Sequence, residues 1–244
     1  MIGRVLRAHL RAFSGDVVLL WVVVAGVLLS LTVAASTPSG IVDAPPEVRA
    51  SLAAPYGAVL ATYGAVLAAV YGSFRYTVDR RDGVVAQRLM CLPRGATFAA
   101  RATGAAVGGA VVALAAAGGG HTALSLTSGV GPLDWSSVGS TLVLGAGAGL
   151  WGMGIGVVIQ AHLVALFVVP LSLSGGVLVA MFWKHGAVYL PLLATLDALG
   201  FDVSAVGITP HESLDGPVAA LVAGGWVLAA LTAGGIAFMM RDVT

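Results

Sequence analysis

Six runs of apolar residues, each near the length that crosses a lipid bilayer, constrain this chain more than any other feature. A transmembrane helix needs about 20 predominantly apolar residues. The runs cover 17–35, 55–74, 102–126, 138–159, 163–182 and 218–240. A soluble surface cannot be built from what remains: 9% of the residues are charged, against about 25% in a soluble domain. Lipid is therefore the expected solvent for most of the surface. The expected fold is an all-α integral membrane protein of six transmembrane helices, forming one domain over residues 1–244.

The first run invites a different reading. Arg4, Arg7 and Arg11 resemble a charged leader, and Val33-Ala34-Ala35 would serve as a cleavage site. At 19 residues, however, the run exceeds the roughly 7–15 of a signal core. Further spans follow it, so a membrane span is preferred.

Orientation follows from the basic residues, which collect in loops that stay in the cytoplasm. Three arginines precede the first run, six lie between Arg75 and Arg101, and Arg241 follows the last. With six spans these regions share one side and hold ten of the twelve basic residues. Arg49 and Lys184 remain on the other side, with Asp43, Glu47, Asp134, Asp197, Asp202, Glu212 and Asp215. Both termini are expected in the cytoplasm. A net charge of +1 carries no global attraction to nucleic acid.

Two packing patterns stand out. In the second run Tyr56-Gly57-Ala58-Val59-Leu60-Ala61 is followed seven residues later by Tyr63-Gly64-Ala65-Val66-Leu67-Ala68. Seven residues is close to two helical turns, so Tyr56 and Tyr63 share a face, with Tyr71 near it. That stripe reads either as interhelical packing or as a substrate route. In the fourth run Gly145, Gly149, Gly152 and Gly156 leave a strip without side chains, along which another helix can approach closely. Gly104 and Gly108 do the same in the third run.

Catalytic chemistry is hard to assemble. There is no G-x-x-x-x-G-K-[ST] phosphate loop, no H-E-x-x-H and no cysteine pair, since Cys91 is alone. His9, His121, His162, His185 and His211 are scattered; His185, His211 and Glu212 share the outer segment at spacings poor for a metal. No catalytic, cofactor-binding or metal-ligating residue is expected. Asp16 is placed to cap the first helix. Ionisable groups are nearly absent from mid-span, apart from His121, which argues against an ion-coupled carrier.

The loop 75–101 carries the most specific pattern. Asp79-Arg80-Arg81-Asp82-Gly83-Val84 leads into a short amphipathic helix over 84–92, and Pro93-Arg94-Gly95 ends it. Val85, Leu89 and Leu92 lie on one side of that helix, as in a helix resting on a membrane surface. The alternative is a solvated anchor for acidic lipid heads.

This loop, with the ending Phe238-Met239-Met240-Arg241-Asp242-Val243 and the amphipathic start 2–13, resembles the membrane subunits of type-2 ABC transporters. Asp79, Arg80 and Gly83 occupy that family's acidic, basic and glycine positions, and Pro93-Arg94 its turn. Val84 stands where threonine is usual. The resemblance covers the whole chain in topology, but in residue detail only the loop and the two ends.

The resemblance implies a permease that pairs with a second copy or a homologous permease, and with two copies of a separate ATPase subunit that supplies ATP and Mg. The 84–92 helix would be the main coupling helix, with Asp79, Arg80, Asp82, Gly83 and Arg88 at the contact. The turn at Gln160 and His162 would be a second contact. An interfacial helix would precede the first span, and residues 183–217 would form an outer re-entrant segment punctuated by Pro191 and Gly200. The implied function is ATP-driven export of an amphipathic or hydrophobic substrate, such as a peptide, antibiotic or lipid. The rival reading is a non-transporting membrane sensor or scaffold regulated by a partner ATPase; a membrane-embedded enzyme lacks clustered reactive groups. Heavy use of Arg over Lys, with abundant Ala, Gly and Val, points to a GC-rich bacterial genome and hence to the cytoplasmic membrane.

Overall fold

In lipid a backbone must satisfy its own hydrogen bonds, and a chain this apolar does so by forming helices. The computed structural model describes residues 15–37, 45–129, 135–206 and 213–241. Among them there is no strand. The order is α1 (Val17–Ala35), α2 (Pro46–Arg81), α3 (Val84–Cys91), α4 (Arg94–Ser128), α5 (Trp135–Ile159), α6 (His162–Ala180), α7 (Lys184–Ala187), α8 (Pro191–Ala198), a 3₁₀ turn (Val203–Val206) and α9 (Gly216–Met240). Six of these helices are long and apolar enough to cross a membrane: α1, α2 from Pro55, α4, α5, α6 and α9. The chain is a multi-pass membrane protein. The N-terminal helix expected over 2–13 and the Asp242-Val243 ending lie outside the described residues.

Two helices outrun their apolar runs. The second apolar run ends at residue 74 and the third starts at 102, which predicts a loop between them. Instead α2 continues to Arg81 and α4 begins at Arg94. Nothing in 75–81 breaks a helix, and its charged side chains find partners at the end of the bundle. The break comes at Gly83, whose φ of 73° lies in the left-handed region that only glycine enters at little cost. At 36 residues α2 is ~54 Å long, well beyond a hydrocarbon core of about 30 Å.

Helices α2 and α5 form the centre. Helix α5 packs on α2, α4 and α9, while α1 lies on α4 and α2, and α6 on α2 and α5. The glycine strip of α5 makes this possible by facing two neighbours. A Cβ on Gly152 would overlap the Ala69 carbonyl of α2, and one on Gly149 would overlap the Ala105 carbonyl of α4. Gly145 faces α4 and Gly156 faces Ser73 of α2 in the same way. Gly108, on α4, makes room for the Tyr71 ring. On the periphery, α1 turns Leu20, Trp21 and Leu28 outward, α6 Phe167 and Leu171, and α9 Leu221 and Leu228. Within α1 a polar tie adds to the packing: the buried Ser30 Oγ donates to the Ala116 carbonyl of α4 at 2.7 Å.

The chain alternates so that Asp16, the α2–α4 connection, the α5–α6 turn and Arg241 meet at one end, here the basic end. At the opposite end α8 buries Leu192, Leu193 and Leu196. There Trp226 of α9 donates to the Tyr189 carbonyl at 2.7 Å, and Ser140 of α5 to the Leu199 carbonyl at 3.1 Å. Pro191 opens α8 at its first turn, and Gly200, with φ 74°, closes it.

Candidate functional site at the basic end

Three helices bring ionisable side chains together at the basic end. Asp16 caps α1: its Oδ1 accepts the Leu19 N–H at 3.1 Å. Its Oδ2 accepts from Tyr71 Oη at 3.1 Å and pairs with Arg75 Nε at 3.0 Å, both on α2. One turn on, Asp79 Oδ1 takes the other end of the same guanidinium, Arg75 Nη1, at 3.0 Å. Asp79 Oδ2 pairs with Arg101 Nη1 of α4 at 3.0 Å. The result is a chain, Tyr71–Asp16–Arg75–Asp79–Arg101, that crosses from α1 through α2 to α4. Arg101 lies over the Tyr76 ring, 5.7 Å from its centroid.

Burial gives this chain its importance. The side chains of Asp16, Asp79 and Arg101 are 1%, 9% and 6% exposed. Removing one partner of such a pair strands a charge away from water, which costs about 3–5 kcal/mol. All four carboxylate oxygens are engaged, whereas Arg101 Nε and Nη2 and Tyr76 Oη are buried without a partner among the described residues. These groups, with Arg88 of α3, line a cavity of about 40 Å³.

Two arginines close helix ends beside it. Arg94 Nη1 donates to the carbonyls of Met239 and Arg241 at 2.7 and 3.2 Å, at the end of α9. Arg241 Nη1 donates to the Val158 carbonyl of α5 at 2.7 Å. Cations favour helix C-termini, where carbonyls lack internal donors.

The candidate coupling residues are thus sorted by surroundings. Asp79 is buried in its ion pairs, and Arg80 is half-buried, its Nη1 without a partner among the described residues. Arg88 is half-buried on the cavity wall, while Asp82 is exposed beside the Gly83 turn. On α3 itself the outward residues are Gln87, Met90 and Cys91, followed by Leu92; Met90 is 79% exposed. Val85 and Leu89 face inward, against Tyr76, Phe98 and Phe238 of α2, α4 and α9. Sequence reading missed Met90 because an exposed apolar residue looks like half of an amphipathic pattern until its neighbour is seen.

At the second turn Gln160 takes a left-handed φ of 61°. His162 Nδ1 lies 2.9 Å from Thr77 Oγ1, and its ring centroid is 4.4 Å from that of Phe74 with the planes tilted by 44°, so this turn is fastened to α2. The tyrosine stripe divides. Tyr56 packs near Leu60 and Leu124, Tyr63 is exposed, and Tyr71 is buried on Asp16. Arg75, Asp79 and Arg101 lie toward the basic ends of α2 and α4, in the parts of those helices that extend beyond their apolar runs. The i,i+4 spacing of Arg75 and Asp79 is the signal that could have revealed the pair.

No family model matches this chain, and no curated protein matches its sequence.

Proposed function

We propose that this chain is the permease subunit of an ATP-driven exporter in the cytoplasmic membrane, with its basic end in the cytoplasm. One observation carries the reading. Helix α3 offers Gln87, Met90, Cys91 and Leu92 to the outside while Val85 and Leu89 seat it on an aromatic bed shared by α2, α4 and α9. A push on α3 would therefore reach three spans at once. Having no phosphate loop of its own, the chain needs the push from a separate ATPase, two copies serving a pair of permeases. The α5–α6 turn, pinned to α2 through His162, is a second point of contact.

Both buried carboxylates are engaged by arginines rather than open to a transported ion, which favours a driven permease over an ion-coupled one. ATP binding would shift the relative affinity for substrate between inward- and outward-facing states. The apolar interior suits an amphipathic or hydrophobic cargo.

The lone Cys91 is exposed, which makes the test direct. In inside-out vesicles a membrane-impermeant maleimide should label it, and in intact cells it should not. Labelling from outside overturns the orientation and the proposal with it. Tagged chain should co-purify an ATPase, and Met90→Asp should lower that yield about tenfold by placing a charge at an apolar contact. An unchanged yield with Met90→Asp and with Leu92→Asp removes α3 from the interface.

A further inference from the structure

The basic-end cavity has an imbalance that the ion-pair chain does not use. Every carboxylate oxygen facing it is occupied: Asp16 by the Leu19 N–H, Tyr71 and Arg75, and Asp79 by Arg75 and Arg101. What is left over among the described residues is donor-rich: Nε and Nη2 of Arg101, which can only donate, and the Tyr76 hydroxyl, which can donate or accept. The charge is unbalanced in the same sense, with Arg75, Arg88 and Arg101 on the walls against Asp16 and Asp79. Buried donors without acceptors are rare in folded proteins and call for a partner.

We propose that this cavity binds a phosphate group as a monoanion, carried on an anionic lipid headgroup or free in solution. The free Nε–Nη2 edge of Arg101 presents two parallel N–H donors, the fork that matches two oxygens of one phosphate. Arg88 of α3 also lines the cavity, and the surplus of one positive charge is what a single phosphodiester anion would neutralise. At about 40 Å³ the cavity is small, which suits a compact anionic group. Next to it an apolar groove along Leu19, Leu20, Val23 and Val111 meets the cavity at Asp16, as an acyl chain leaving the headgroup would require. Basic pockets between spans are where headgroups of anionic lipids are held. The site does not depend on the exporter reading, and its test needs no ATPase.

The experiment uses the full chain, delipidated in a neutral detergent and phosphate-free buffer, with thermal unfolding and native mass spectrometry as readouts. Phosphatidylglycerol should raise the unfolding midpoint by ~5 °C and remain bound in the spectrometer, while diacylglycerol should do neither. A rise with inorganic phosphate alone supports the same site with a soluble source. Arg101→Lys keeps the charge opposite Asp79 but loses the fork, so it should fold and bind about tenfold more weakly. Arg88→Gln, which breaks none of the ion pairs described, should also weaken binding and serves if the Lys variant does not fold. If neither phosphatidylglycerol nor phosphate shifts the midpoint, the cavity holds only water and the proposal fails. It fails equally if both variants respond like the parent chain.

Discussion

At Gly152 helix α5 meets α2 with no side chain between the two backbones, whereas about three turns further along the same α2, at Asp79, the gap to α4 is filled by charge. Both places are buried and both lie on α2. In lipid no hydrophobic drive separates helix from tail, so mid-depth association rests on close van der Waals contact. Small residues supply that contact, and it has one good geometry. The basic end instead uses long side chains with several donors each, in an arrangement that links three helices yet leaves Arg101 with donors to spare. The seam is built to stay closed, and the charged end to connect and to bind.

Substitutions separate the two regimes, and the largest effect is expected at the seam. Gly152→Val drives a branched side chain into the Ala69 carbonyl and should cost more than about 4 kcal/mol, seen as loss of monodisperse protein in detergent. Next comes the charged end. Asp79→Ala strands Arg101 and leaves Arg75 with Asp16 alone, and should cost about 3 kcal/mol or more in denaturant titrations, while the double change Asp79→Leu with Arg101→Met should recover much of the loss. If the single and double variants are equally unstable, the ion pairs are not what the cluster contributes. Thr77→Val removes one buried polar contact to His162 and should cost about 1 kcal/mol by the same titration. The smallest effect is a control for the seam. Gly118, also on α4, has open space where a Cβ would go, so Gly118→Ala should change stability by no more than about 1 kcal/mol, in the stabilising direction. A large loss there would mean that helix glycines matter for some reason other than close approach.

Legibility in the sequence followed the range of the interactions involved. The first apolar run and the first helix cover the same residues, because apolar length is a local property and Asp16 is a local cap. The short helix after Gly83 was likewise readable, since a left-handed glycine and a following proline bound it. The strip of four glycines was visible as a strip, but its division between two neighbours was not: Gly145 and Gly149 serve α4, Gly152 and Gly156 serve α2. The ends of α2 and α4 were misjudged because charged residues were counted as loop. Asp16 was legible as a cap but not as a partner of Arg75, which lies far away in sequence. Arg94 and Arg241 were read as markers of orientation, and their use as donors to the carbonyls of α9 and α5 depends on helices distant in the chain.

The amino-acid sequence by itself determined the solvent, the number of helices able to cross it and the collection of basic residues in three segments. Those are matters of composition and of periodicity within about 20 residues. Tertiary structure alone decided which charges neutralise one another, which apolar residues of α3 face outward and where donors remain without acceptors. The reason is physical: an ion pair or a helix cap forms only when packing carries two distant residues to about 3 Å, and no local pattern records that distance.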